Sequence, residues 1–445
     1  MTALAAHALA RFGLGPKPGE IAAVAADPRG WAMLQVGRVD IPPALAQSPS
    51  GRERQAQLQN LREREGEPGV GRLLRREWRA AYMRDCGLRT RAMIESDAPF
   101  RERWVAFWSN HFTVSAQRPR TLGLVEPFER EAIRPHAWGS FVDMLGAVVR
   151  HPAMLVYLDQ ANSVGPNSQV GQRRGLGLNE NLARELMELH TLGVDGGYTQ
   201  TDVRELARIL TGFSIGRPDE NAAGAFRYRP AIHEPGDKRF LDLTIRESGF
   251  DEGLTALRVL AFHPSTARHI ARKLAVHFVA DEPPPVAVEA LARTFRDTRG
   301  DLAEMARAVV NLPDSWSNPM GKLRAPNDLV VAAMRAVTGD SGYAGEPERL
   351  LAALATLGQT PFAAPSPAGW PDKARDWIGP ESAMRRAEWA LALAERVAAF
   401  RRPDAVFAAT LEPVASKVTR DAVWRAPSAA DGLATLFASP EFQRR

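Results

Sequence analysis

The sequence holds a single cysteine, Cys86, so no intramolecular disulfide and no cysteine-based zinc cage can form. No stretch approaches the ~20 uninterrupted apolar residues that a membrane span requires, which points to a soluble chain. Nucleotide signatures are missing too: there is neither a G-x-x-x-x-G-K-[ST] loop nor a G-x-G-x-x-G turn. Charge of one sign is scarce, because Lys+Arg 57 against Asp+Glu 52 leaves only +5 on 445 residues. A nucleic-acid-binding domain concentrates its charge, so no nucleic-acid partner is expected. The first residues, MTALAAHALARFGLG, contain neither a basic region nor a sustained apolar one. They do not read as a signal peptide, and the chain as written is expected in the cytoplasm.

What is present is ordinary globular material, 45% hydrophobic and 24% charged, which excludes disorder and collagen. Apolar residues recur at helical spacing almost throughout, most clearly over 72–95, 98–112, 126–150, 180–192, 202–212, 265–279, 285–296, 301–311, 326–338, 347–357 and 380–400. The pattern predicts a mainly α fold, a large multi-helix bundle with a minor β-ribbon. The ribbon is placed at 226–245, where FRYRP and RFLDLTI flank the turn HEPGDK. One unit over 1–445 is expected, with 215–260 as the place for a sub-boundary. Residues 160–178 and 358–380 read as long loops of the kind that serve as lids. The arginine-dense stretch 52–91 mixes its charge with Glu53, Glu63, Glu65, Glu67 and Glu77, and reads as a solvated helix face.

Four segments carry side chains with chemistry. In DAPFRERWVAFWSNHF, with Asp97 as cap, Phe100, Trp104, Phe107 and His111 fall on one helical side, which puts an imidazole on an aromatic stripe. In NENLARELMELHTLGVDGGYTQTDVRELARILTGF, Leu182, Leu186 and Leu189 form an apolar face, and Asn181, Glu185 and Glu188 align on another. His190 falls toward the apolar side, so this segment is not a single-face metal motif. In HPSTARHIARKLAVHF, Ser265 reads as the cap, and His269, Lys273 and His277 recur every four residues. The outer two are ~12 Å apart along the axis at 1.5 Å per residue, too far to share a metal, but the stripe can face a substrate anion or the Glu185 helix. In IHEPGDK, His233, Glu234, Asp237 and Lys238 crowd one turn. GFSIG matches G-x-S-x-G but follows a helix where a nucleophile elbow needs a strand, and DGGYTQTD lacks the alternation of a calcium loop.

The chain resembles the bacterial family catalogued as domain of unknown function 1800. The resembling segments are HALARFGLGPKPGE, RERWVAFWSNHFTVS, HPAMLVYLDQANS, NENLARELMELHTLGVDGGYTQTDVRELARILTGF, HEPGDK, HPSTARHIARKL and PAGWPDKARDW. HEPGDK departs from the family's usual His-Asp beginning, with Glu234 in the Asp place. The resemblance implies one mainly helical unit and no established reaction. It also implies frequent export and a partner protein encoded nearby.

Polar residues concentrated in these segments point to a shared cleft under a 160–178 lid. The favoured function is a hydrolase-like enzyme acting on a polar or glycan-like substrate. His111, Glu185, Glu188, His190 and His233 serve as its acid/base groups or as ligands of a divalent metal. The competing class is a non-catalytic binding or assembly protein with a buried polar network, and His111 with His190 also leaves room for haem. Three structural expectations follow. Trp104, Phe107, Leu186, Leu189 and Leu210 belong to the core. Glu185 or Glu188 pairs with Lys273, Arg268 or Lys238. His111, His190 and His233 converge with at least one of Glu180, Glu185 and Glu188.

Overall fold

Proline supplies many of the helix starts, because its fixed φ suits the first turn and its missing N–H is not needed there. Pro99, Pro264, Pro285, Pro326, Pro347, Pro380 and Pro403 each open a helix in the computed structural model. The structure describes residues 1–445 except 38, 40, 65–68, 342 and 344, so Glu65 and Glu67 lie outside the described residues. The fold is mainly α with only short strands, and no helix among the described residues is long and apolar enough to cross a membrane.

The helix Pro99–His111 is buried on nearly every side. Trp104 lies parallel to Trp138, centroids 5.8 Å apart, and touches Phe278 at 5.9 Å. Its indole N–H donates to the Ala137 carbonyl at 2.7 Å, so the buried polar atom is satisfied. Glu102 leaves the same helix to accept a two-pronged pair from Arg134, 2.9 and 2.8 Å. Around this helix one core gathers side chains from Ala8 to Leu351, including Ile215, Phe240, Ile245 and Leu257 from the 215–260 stretch. A second core joins Leu329, Val330, Trp389, Leu433 and Phe437 to Leu14, Met93 and Ile94.

Several local expectations need correction. The 226–245 stretch is not one ribbon: Phe226–Tyr228 pairs antiparallel with Phe213–Ile215, and Lys238–Phe240 with Leu243–Ile245. GFSIG therefore runs through a strand, and Ser214 is buried opposite Arg227, not raised on an elbow. The 126–150 helix breaks into Val125–Phe128, a π turn Glu129–Ile133, a 3-10 turn Arg134–His136 and the helix Phe141–Arg150. Pro135 cannot donate to an α ladder at that point. Asp97 pairs with Lys17 at 3.0 Å and leaves the N-cap to Ala98, while His263 takes the capping role expected of Ser265. The capping box of Thr199 and Asp202 is present.

Trp104, Phe107, Leu186 and Leu210 are buried as expected, but Leu189 is only half-buried. The helix that starts at Asn181 widens after Glu185 into a π turn, Leu186–His190. The extra residue per turn rotates Leu189 off the apolar face and brings Met187, fully buried, onto it. Replacing Trp104 with Ala removes a stacked ring and orphans the Ala137 carbonyl. Denaturant unfolding should show a loss of about 3–5 kcal/mol.

Candidate functional site

The helix Pro264–Phe278 places His269, Lys273 and His277 on one side, as their four-residue spacing requires, and all three line a cavity of about 460 Å³. The opposite wall comes from Phe107, Asn110 and His111 at the end of the Pro99–His111 helix, and from the loop that carries Trp370 and Asp372. Asn110 ties that loop down: its Nδ2 donates to the Trp370 carbonyl at 2.9 Å, and the Trp370 amide donates to its Oδ1 at 2.7 Å. Gly369 makes the approach with φ +84°, and a Cβ there would meet the Asn110 carbonyl oxygen at 2.4 Å. Only glycine fits both conditions.

His277 Nδ1 donates to Asp372 Oδ2 at 2.5 Å, since a carboxylate only accepts. Its Nε2 is buried and, among the described residues, has no hydrogen-bond partner. Asp372 also faces Arg445 Nη2, 3.4 Å from Oδ1. Against burial, the hydrogen bond from His277 and the charges of Lys322 and Arg445 hold the Asp372 carboxyl well below the usual range. Burial and Arg445 outweigh Asp372 at His277 and keep this imidazole neutral at pH 7. Lys273 is brought down to about 8 by burial.

Behind the cavity wall three imidazoles meet: His111 lies 5.8 Å from His190 and 6.2 Å from His269, ring to ring. His111 Nε2 donates to the His190 carbonyl at 3.1 Å and His269 Nε2 to the Leu189 carbonyl at 2.9 Å. The π turn supplies both acceptors, because its carbonyls no longer follow the α ladder. Among the described residues, His111 Nδ1 and both nitrogens of His190 have no hydrogen-bond partner. Burial, with the nearby Lys273 charge, lowers His190 to about 3 and His269 to about 4.

The expected meeting of His111 and His190 is therefore present, but the shared cleft is not: among the described residues the cavity is lined by His111 and not by His190, Glu180, Glu185, Glu188 or His233. The His233 imidazole donates to the Thr211 carbonyl at 2.8 Å and to Glu252 Oε1 at 3.0 Å, with Lys238 Nζ 2.6 Å from Glu252 Oε2. Lys238 and Glu252 are fully buried, and His233 with Lys238 overcomes burial to hold Glu252 down to about 2. The long turn before His233 attaches it to the strand pair instead of the His111 helix. Glu185 and Glu188 are half-buried and, among the described residues, have neither an ion pair nor a hydrogen bond to a cation. Burial and then Glu188 raise the Glu185 carboxyl, so the expected pair with Lys273, Arg268 or Lys238 is absent. Glu180 pairs with Arg184 at 2.9 Å on the outside. The 160–178 stretch is no lid over the cavity: Glu234 accepts from the Asn167 side chain and amide, and Gln160 donates to the Leu210 carbonyl. Among the described residues, no three His, Cys, Asp or Glu side chains gather as metal donors.

The model of a family described as a protein of unknown function, DUF1800, matches residues 7–444. The chain belongs to this family. No curated protein and no solved structure matches it. For this DUF1800 member the pairing of His277 with Asp372, 95 positions apart, is what sequence reasoning missed. PAGWPDK was visible as a family segment, and His277 as part of a stripe, but nothing local joins them.

Two outcomes follow. His190 and His269 are neutral in the fold but take up protons when unfolded, so the stability they add is present above about pH 6.5 and is lost as pH falls toward 4. Thermal denaturation from pH 7 to 4.5 should show a falling Tm, and His190→Leu should shallow the stability slope by up to about 1.4 kcal/mol per pH unit. Lys238→Met leaves Glu252 buried without its ammonium and should cost about 3–5 kcal/mol in urea unfolding.

Proposed function

We propose that the chain is a hydrolase-like enzyme in which His277 is the general base and Asp372 its positioning residue, acting on a small polar substrate in the 460 Å³ cavity. The observation that carries this reading is the His277–Asp372 contact, which fixes the imidazole proton on Nδ1 and leaves the lone pair of Nε2, a buried atom of a cavity-lining residue, without a hydrogen-bond partner among the described residues. A neutral imidazole can take a proton from water beside an electrophilic carbon or phosphorus. The water oxygen then attacks, the imidazolium is stabilised by the Asp372 carboxylate, and the proton passes to the leaving group. The cavity volume lies in the range of small-molecule sites.

The reading moves the acid/base work away from Glu185, Glu188, His190 and His233, whose surroundings serve the fold. The test is hydrolysis of a panel of chromogenic esters, phosphate esters and glycosides. His277→Gln should reduce kcat by about 10²–10⁴-fold, and Asp372→Asn should reduce kcat and shift its pH profile. Wild-type-like kcat in His277→Gln would remove His277 from the mechanism. Ligand binding without turnover across the panel would favour the binding-protein class.

A further inference from the structure

The charges around the cavity do not balance. Five arginine and lysine side chains line it, Arg89, Arg103, Arg272, Lys273 and Arg445, against the carboxylates of Asp328 and Asp372 only. Arg89 is engaged by Glu129 at 3.2 Å. Asp328 Oδ2 is shared between Arg103 Nη1 at 3.0 Å and Arg445 Nε at 3.1 Å. Asp372 is occupied by His277 and by Arg445 Nη2. Arg272 is exposed to solvent, which leaves Lys273, half-buried and with no hydrogen bond or ion pair among the described residues, and the Nη1 of Arg445, a residue 1% exposed, with no partner among the described residues.

Both belong to the neighbourhood of the proposed base. Lys273 is one helical turn from His277, about 6 Å along the axis, and Arg445 meets the same Asp372 that holds His277. The indole Nε1 of Trp370, on the same wall, is also buried without a partner. Donors without acceptors and cations without anions are costly when taken out of water, and one guest of negative charge satisfies both deficits. A metal cation or a polycation meets repulsion here, and a cavity of about 460 Å³ admits a small molecule, not a polymer strand. Burial lowers Lys273 to about 8, and the Asp372 carboxylate only partly opposes it.

We infer that the substrate carries an oxyanion group, phosphate or carboxylate, held between Lys273 Nζ and Arg445 Nη1 beside His277. The inference rests on reading the cavity as the substrate site. It is tested by isothermal titration of the full chain with inorganic phosphate and, separately, with acetate, at constant ionic strength set by potassium chloride. One equivalent of at least one oxyanion should bind, and the tighter of the two identifies which group the substrate bears. Lys273→Met, nearly isosteric and on the cavity wall, should weaken that binding at least about tenfold with an unchanged circular dichroism spectrum. His277→Gln should keep the binding while losing hydrolysis. Absence of binding by both oxyanions, or equal binding by Lys273→Met, overturns the anion site. Hydrolysis of neutral substrates that His277→Gln abolishes would then leave the enzyme reading standing. Oxyanion binding with no hydrolysis keeps the anion site and removes the enzyme reading.

Discussion

Two carboxylates, Asp328 and Asp372, hold in one place a group of cations that would otherwise repel. Asp328 bridges Arg103 of the central helix and Arg445, and Asp372 bridges Arg445 and His277. Lys322 adds Asp281 at 2.5 Å and exchanges backbone hydrogen bonds with Arg445. Arg103, His277 and Arg445, from three distant stretches of chain, therefore meet at two side chains. Burying such a network adds little net stability, because desolvation offsets much of the attraction. Its effect is positional, because each pairing ties together segments far apart in the sequence.

The same economy governs the histidines. A π turn at Leu186–His190 costs regular hydrogen bonding, and it offers carbonyls to His111 and His269. Each imidazole is thereby held in one tautomer with its second nitrogen unused. His277 is held by a carboxylate instead, and that difference sets its surroundings apart from those of the rings that bond to backbone. The His233 cluster shows the structural use of the same residue types, where Lys238 and Glu252 neutralise each other out of contact with solvent.

How much was legible in the sequence depends on the range of the interaction. Helices announced themselves through 3.6-residue spacing, proline starts and the Thr199–Asp202 box, all of which act within one or two turns. Burial of Trp104, Phe107, Leu186 and Leu210 followed from phase. Leu189 escaped because a π turn changes the phase without a residue pattern to mark it. The strand partners were misplaced because Phe226–Tyr228 is equally suited to either neighbour, and pairing is settled by which edge the chain brings near.

The sequence by itself determined the helical class, the family, the stripe of His269, Lys273 and His277, and the meeting of polar groups near His111 and His190. Only the tertiary structure decided that the stripe faces Asp372 and Arg445, that His233 belongs to a separate cluster, and that Glu185 and Glu188 stand apart from every cation proposed for them. The physical reason is that backbone periodicity fixes which side chains share a face of one helix. Which charges meet across 95 or more residues depends on how whole helices pack, and that is set by the summed burial of many apolar side chains whose individual letters name no partner.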